Sequence, residues 1–496
     1  MNSKEQTVKK ITFIASECQP FIASGGLGDV VGSLPLRIAK QTKGEYELTV
    51  ILPYYSKINE KYRNKLVYVG QTTVNLSWRK QYCGIFKYEE KNVKYYFIDN
   101  EYYFKRDNLY GYFDDGERFA YFSKAAIDVM LYLDEVPDII HVHDWQTGLV
   151  PIYLRTLYYG DVRLMNVKTI FTIHNIEYQG LFSFDDDIIE DVFGISINDA
   201  YIFEYRGSIN IMKGAMEAAN YVTTVSPSYA EEICTPEYAH GLEDEINRIK
   251  AENKLVGILN GIDKNFYNPA KDKALFANYD RNDFTSKSLN KVELQKMLNL
   301  PVDESVPMIG MVTRLVGHKG LEFIKAGFNE LMEMNIQLVI LGTGDPYYEG
   351  YLKDMEVKYH NKFRAVIAFN QDLSRKIYGS ADLFLMPSAS EPCGLSQMIA
   401  ARYGAIPMVR ETGGLKDSII DYSKTNGNGY TFTGMDYHEM LNMIRRAVND
   451  YHQPTWNEKV GKTMNVDFGW SSSAKKYVSM YDKILNRKVM KWQQDQ

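Results

Sequence analysis

Cysteine is scarce in this chain: Cys18, Cys83, Cys234 and Cys393 are the four among 496 residues. No two have C-x-x-C spacing, which excludes a zinc knuckle and a dithiol motif, and at this density a disulfide framework is not expected. No apolar run approaches the ~18 residues of a membrane helix. Met1 to Lys10 is polar and precedes only a short apolar run, so it does not read as a signal peptide. A cytoplasmic, reducing setting is the expectation. Charge of one sign is not in large excess either. The formal net charge of -6 gives no reason to expect nucleic acid or an anionic membrane as partner.

What is present is the composition of an enzyme-sized globular protein, 45% hydrophobic and 24% charged. The length exceeds one hydrophobic core, so two domains are expected, with three possible on length alone. Tyrosine is abundant, at 38 residues, and clustered at Tyr95-Tyr96, Tyr102-Tyr103, Tyr110 and Tyr112. Flat faces with a polar tip suit sugar rings, although an A/T-rich genome accounts for much of the count.

Short apolar runs at 11–15, 47–53, 138–143, 168–174 and 221–225 read as buried strands separated by helical patterns such as Glu117 to Leu133. Alternation of this kind predicts a parallel sheet covered on both faces. The Tyr- and Val-rich interval from Lys65 to Phe113 has period-two stretches and reads as a β-hairpin insertion. After Asn260-Gly261 the pattern lapses, and a second series of strands begins at 308–312, 337–341, 364–368, 382–386 and 405–409. The domains expected are 1–258, 259–469, and a terminal helix over 470–496 returning to the first domain.

Open α/β sheets bind ligands beyond the carboxyl ends of their strands. Those positions hold Gly25-Gly26, His143-Asp144, His174-Asn175, Arg314 with Lys319, Gly342-Thr-Gly-Asp345, Glu391 and Thr412-Gly413-Gly414. The stretch Ser24-Gly25-Gly26-Leu27-Gly28-Asp29 follows a strand and opens a helix that Pro35 is expected to break. It is neither G-x-G-x-x-G nor a Walker loop, so it is either a backbone cradle for a phosphate or a tight turn. Arg314 and Lys319 are either a diphosphate-neutralising pair or solvated surface charges. Glu391 is either a ligand for sugar hydroxyls or a first-turn helix carboxylate. Cys393 lacks a local His/Asn partner and reads as a packing residue. His141 and His143 share a strand face, but no matching carboxylate or cysteine set accompanies them, so no metal is expected. Asp144 and His174 follow neighbouring strands and can meet.

Taken together, these motifs resemble the glycogen and starch synthases, retaining glucosyltransferases of GT-B fold. They run from Ser16-Glu17 with Gly25-Gly26-Leu27-Gly28-Asp29, through His141-Val-His-Asp-Trp-Gln146, His174-Asn175-Ile-Glu-Tyr178 and Leu259-Asn-Gly-Ile-Asp263. They continue with Arg314, Lys319-Gly320, Leu341-Gly-Thr-Gly-Asp345, Glu391-Pro-Cys-Gly-Leu395 and Thr412-Gly-Gly-Leu415. The resemblance implies an α/β protein of two doubly wound Rossmann-like domains facing across a deep cleft. It implies glucose transfer from ADP-glucose to an α-1,4-glucan (glycogen, starch or a maltooligosaccharide) by a front-face route, with no cofactor. That route fits the lack of a glycosidase-type carboxylate pair.

The group implied for catalysis is Glu391, Asp144, His174, Arg314 and Lys319. Donor binding falls to Gly25, Gly26, Asn260, Phe369, Cys393, Gly394, Leu395, Gly413 and Gly414. Acceptor binding falls to Glu17, Asn175, Tyr178 and Tyr110. One departure stands out: the family often places a lysine just before Gly-Gly-Leu, where this chain has Ala23-Ser24. That leaves the loop's N–H groups, Arg314 and Lys319 to hold the diphosphate. Two alternatives stay open, a catalytically weak glucan-binding protein of the same fold and a synthase using UDP-glucose.

Overall fold

Runs of β-branched and aromatic residues without polar interruption can be strands only where both faces are covered. The computed structural model describes residues 8–486 and shows this arrangement twice. The segment 1–7 and the last stretch of the expected terminal helix, 487–496, lie outside the described residues. The chain divides into two units, one of residues 8–225, 230–258 and 470–486, the other of 226–229 and 259–469.

The first unit holds β1 (Lys9–Ile14), β2 (Tyr46–Pro53), β3 (Val67–Leu76), β4 (Arg79–Glu90), β5 (Val93–Asp99), β6 (Ile139–His143) and β7 (Lys168–Ile173). Three short strands follow, β8 (Leu181–Ser183), β9 (Glu204–Tyr205) and β10 (Ser208–Asn210), and then β11 (Tyr221–Thr224) and β12 (Leu255–Gly257). The main sheet has the order β12-β11-β7-β6-β1-β2-β5-β4-β3, and β8, β10 and β9 form a small antiparallel sheet. Strands β12 through β5 of that order are parallel, while β4 and β3 are antiparallel.

The Tyr-rich interval is therefore more than a hairpin set on the domain. Its third strand, β5, is a member of the parallel sheet, and β4 and β3 extend the sheet edge from it. The helix Gly26–Thr42 also runs unbroken across Pro35, contrary to the sequence reading. Burial of Val30, Val31, Leu34 and Ile38 along one face outweighs the ~3 kcal/mol that an interior proline costs. The helix Ser471–Asn486 packs in this unit, with Gln41 donating to the Ser471 carbonyl at 3.0 Å and Tyr46 to Asp482 at 2.5 Å.

The second unit holds β13 (Met308–Val312), β14 (Gln337–Gly342), β15 (Phe363–Ile367), β16 (Leu383–Met386), β17 (Ile406–Arg410) and β18 (Tyr430–Phe432). Its sheet is parallel throughout in the order β15-β14-β13-β16-β17-β18. Read from the first strand outward, both sheets reverse direction once. The reversal falls between β1 and β6 in one unit and between β13 and β16 in the other. Crossover helices leave opposite faces at such a point, and a crevice opens at the strands' carboxyl ends.

Candidate active site

At the first switch point, the loop after β1 and the loop after β6 each supply a carboxylate. Glu17 is buried. It accepts from the backbone N–H and the hydroxyl of Ser24 (2.7 Å for the hydroxyl), from the N–H of Gly25 at 3.2 Å and from the Tyr110 hydroxyl at 2.6 Å. Tyr110 also bonds the Ser16 hydroxyl at 2.7 Å. The glycine loop is thus no empty cradle. The N–H groups of Ser24 and Gly25 are taken by Glu17, and those of Gly26 and Leu27, in the first helical turn, lie beyond the reach of helical pairing. Two residues offered by the sequence to an acceptor, Glu17 and Tyr110, are bonded to one another and to this loop.

Asp144 follows β6 with φ 54° and ψ 178°, backbone space otherwise almost confined to glycine. Neighbouring bonds fix it there. Its N–H donates to the Thr172 carbonyl on β7 at 2.9 Å, and its carbonyl accepts from Thr147 N–H at 3.2 Å. The carboxylate accepts from His174 N–H at 2.7 Å and is also bonded by the N–H of Asn175. Burial nevertheless dominates and pushes the Asp144 carboxyl up to about 7, against those two N–H groups, with Glu17 adding to the rise.

The strand's own histidines are accounted for. His141 bonds Tyr481 at 2.9 Å and Thr172 at 2.6 Å, and His143 bonds His174 at 3.0 Å. Burial holds His141 and His174 down to about 3 and His143 well below its ordinary value, so all three rings are neutral at pH 7. Among the described residues no cluster of His, Cys, Asp and Glu is arranged to hold a metal ion. Asn175 accepts from Glu177 N–H at 3.0 Å, whereas Tyr178 stands apart with 49% of its surface exposed.

At the second switch point, the loop after β13 meets the loop after β16. Lys319 Nζ donates to the buried Glu391 carboxylate at 2.6 Å, and the Ser388 hydroxyl reaches the same oxygen at 3.3 Å. Ala389 N–H donates to the His318 carbonyl at 2.8 Å, and Arg410 bonds the Ala389 carbonyl at 2.8 Å. Gly320, at φ 81°, allows close passage: a Cβ there would stand 2.0 Å from the Pro387 carbonyl oxygen. Gly414 N–H donates to the Glu391 carbonyl at 3.1 Å, tying the loop after β17 to the same place.

Arg314 is exposed, and its guanidinium has no ion pair or hydrogen bond among the described residues. Cys393 is buried and bonded by Asn260, and burial pushes its thiol up to about 12, so it packs as the protonated form. Asn260 Oδ1 is buried without a partner, an orphaned acceptor of the kind a ligand hydroxyl would satisfy. Gly394, Leu395, Gly413 and Gly414 lie in the loops around Glu391. Phe369 follows edge strand β15 and is 86% exposed, outside this bonded group.

Sequence reasoning missed Ser388, Arg410 and Thr147, which hold the loops, and gave Ser24, which it singled out, no bonding role. Only Ser24 had a local signal, since a glycine turn at a helix start without a cation needs some acceptor for its N–H groups.

Comparison with known proteins bears on this arrangement. A family model described as "Starch synthase catalytic domain" matches residues 10–248, and one described as "Glycosyl transferases group 1" matches residues 295–463. A glycogen synthase of Alkaliphilus metalliredigens is 45% identical over 478 residues, covering 95% of this chain and 99% of that protein. The catalytic domain of starch synthase IV from Arabidopsis thaliana, solved bound to ADP and acarbose, aligns with a TM-score of 0.88 at 35% identity. It covers 97% of this chain and 100% of that one. Sucrose-phosphate synthase from Thermosynechococcus elongatus, at 16% identity and a TM-score of 0.61, covers 96% of this chain and 99% of that one and shares the fold.

Proposed function

The chain belongs to the glycogen and starch synthase family of GT-B glycosyltransferases, and from that premise we propose that it transfers glucose from ADP-glucose to the non-reducing end of an α-1,4-glucan, with retention. The observation that carries the reading is the Lys319–Glu391 pair at 2.6 Å, with the exposed Arg314 on the same loop after β13 as Lys319. Two cations beside a strand's carboxyl end suit a diphosphate, and a buried, oriented carboxylate suits the hydroxyls of the sugar attached to it.

In the transfer, the bond between glucose C1 and the β-phosphate oxygen breaks, and ADP leaves with the electron pair. The acceptor O4 bonds to C1 on the same face, and its proton passes to the departing phosphate. Arg314 and Lys319 stabilise the charge that develops on the diphosphate. Asp144, as the carboxylate, stabilises the positive charge at C1, and neutral His174 holds the sugar by a hydrogen bond. Asn260 Oδ1 accepts from a donor hydroxyl. Of the other residues implied by the family resemblance, Gly413 and Gly414 set the position of Glu391, and Phe369 stacks near the base. Asn175 and Tyr178 lie toward the acceptor.

The test is incorporation of label into glycogen from ADP-[14C]glucose, with UDP-[14C]glucose in parallel and the anomeric configuration of the new linkage read by NMR. Incorporation from the ADP sugar with an α-linkage is expected. No label in polymer from either donor refutes the reading, and retained glycogen binding in that case returns the glucan-binding alternative.

A further inference from the structure

We propose that His143 is a positioning residue for the transfer: its Nδ1–H donates to His174 Nε2, which fixes the His174 proton on Nδ1 and makes that nitrogen a hydrogen-bond donor to an oxygen of the transferred sugar. For the group that His174 meets, this rests on the reaction proposed above. For the ring protons it rests on geometry.

The sequence offered His141 and His143 as a pair on one strand face, and the transfer as written uses neither. Both are buried. His141 is held at both ring nitrogens, by Tyr481 and Thr172, so its plane is fixed. It stacks on His143 with ring centres 4.4 Å apart and planes 24° apart. Phe13, on the neighbouring strand β1, stacks on His143 as well, at 5.9 Å and 12°. The Thr147 hydroxyl accepts from His143 N–H at 2.7 Å and donates to the His143 carbonyl at 2.8 Å. The backbone and the ring plane of His143 are therefore both set.

Burial keeps these rings neutral, so each carries one ring proton and one lone pair. His143 Nδ1 and His174 Nε2 are 3.0 Å apart, and one must donate while the other accepts. The outer nitrogen of His143 decides which. Its Nε2 is buried with no hydrogen-bond partner among the described residues. If His174 donated, the His143 proton would lie on Nε2, a buried N–H with nothing to receive it. The rings of His141 and Phe13 offer it no aromatic face, because they lie nearly parallel to His143 and an N–H points along its own ring plane. If His143 donates, Nε2 keeps only a lone pair. Buried N–H groups without an acceptor are rarer than buried acceptors left short. The His143 proton therefore sits on Nδ1. His174 Nε2 accepts it, and the His174 proton is driven to Nδ1 in turn.

His174 follows β7 and is half-buried, and its Nδ1 has no partner among the described residues. A ring donor in that position calls for an oxygen that accepts. A sugar hydroxyl can do so and keep its own hydrogen for a second acceptor. With the tautomer free, the ring would present a lone pair there part of the time, and the same hydroxyl would have to turn. Fixing the tautomer settles the direction of that bond before the donor sugar arrives.

The experiment reads ring nitrogens in long-range 1H–15N spectra of the full-length protein labelled with 15N-histidine. The chain has eight histidines, and the His174 signals are those missing from His174→Gln. In the wild type at neutral pH, His174 is expected to be protonated on Nδ1 and bare on Nε2; the reverse pattern overturns the proposal. Kinetics with ADP-glucose and glycogen then compare His143→Leu, which removes the donor, with His143→Asn, whose amide can offer an N–H in place of Nδ1–H. His143→Leu should lower kcat/KM for the donor about tenfold, leave KM for glycogen unchanged and release the His174 proton from Nδ1. His143→Asn should restore most of the rate together with the Nδ1 pattern. Wild-type kcat/KM in His143→Leu overturns the proposal, as does an asparagine variant no better than the leucine one. Should His143→Leu fail to fold, the wild-type spectrum still decides. Absence of wild-type turnover would instead count against the proposed reaction, and the spectrum would still show which nitrogen of His174 carries the proton.

Discussion

Gly413→Ala tests whether loop packing, and nothing looser, sets the position of Glu391. Gly413 has φ 42°, and a Cβ built on it would stand 2.1 Å from the Glu391 carbonyl oxygen and 3.3 Å from that of Pro392. Both partners are backbone, so no rotamer change relieves the contact. Holding alanine in left-handed space costs about 1–2 kcal/mol, and overpacking a closed site costs a further 1–3 kcal/mol. The expected loss is therefore about 2–5 kcal/mol, or about 5–15 °C in the unfolding temperature of a unit of this size. To reach ordinary contact the Glu391 backbone must retreat by about 1 Å. A misplacement of that size is expected to lower kcat about a hundredfold, with a smaller effect on KM for donor.

The comparison variant is Gly461→Ala, inside the helix Trp456–Asn465, where an added Cβ meets nothing within 4 Å. It should gain about 0.5–1 kcal/mol and keep wild-type kinetics. The measurements are thermal unfolding and steady-state label transfer on both variants. A Gly413→Ala protein that is less stable but turns over within about twofold of wild type refutes the argument, because Glu391 would then be insensitive to the packing said to place it.

Asp144, pushed up to about 7, predicts that kcat/KM falls as pH drops through 7, since protonation removes the carboxylate, and that Asp144→Asn abolishes this limb along with most activity. The same raised value means the native state holds a proton the unfolded chain releases near pH 4. Its contribution to stability is therefore full below about 4 and gone above about 7, a slope that Asp144→Asn should remove from a denaturation series. Lys319→Ala leaves Glu391 buried and unpaired, at a cost of about 3–5 kcal/mol, whereas Lys319→Ala combined with Glu391→Gln should cost less than the sum of the single changes. Additive effects in urea unfolding would deny the coupling. Glu17→Gln should keep part of the loop's bonding and Glu17→Ala little of it, so limited proteolysis near Ser24 should accelerate in that order; equal rates would mean the carboxylate does not hold the loop.

The two sheets were legible because central parallel strands are buried on both faces and leave uninterrupted apolar runs. β13, expected over 308–312, has those bounds in the structure. Three-residue strands such as β12 and β18 have no period to detect, and they entered the structure without a sequence expectation. The loops after strands were legible as positions, since polar and glycine residues stood out against apolar neighbours. Their bonding was not legible. Lys319 and Glu391 are 72 residues apart and Glu17 and Tyr110 are 93 apart, so only the sheet order brings them together.

The missing lysine shows the limit most clearly. Sequence alone left the loop's N–H groups to compensate for the absent charge. In the structure the acceptor for two of them is a buried carboxylate of the chain itself, which adds negative charge at that spot. A phosphate would have to displace Glu17 and then sit beside it. Under the proposed reaction, the grip on the diphosphate therefore falls to Arg314 and Lys319, and restoring a lysine as Ser24→Lys should not tighten donor binding. The new ammonium would lie against Glu17 and pair with it first. A severalfold drop in donor KM for Ser24→Lys would refute that assignment.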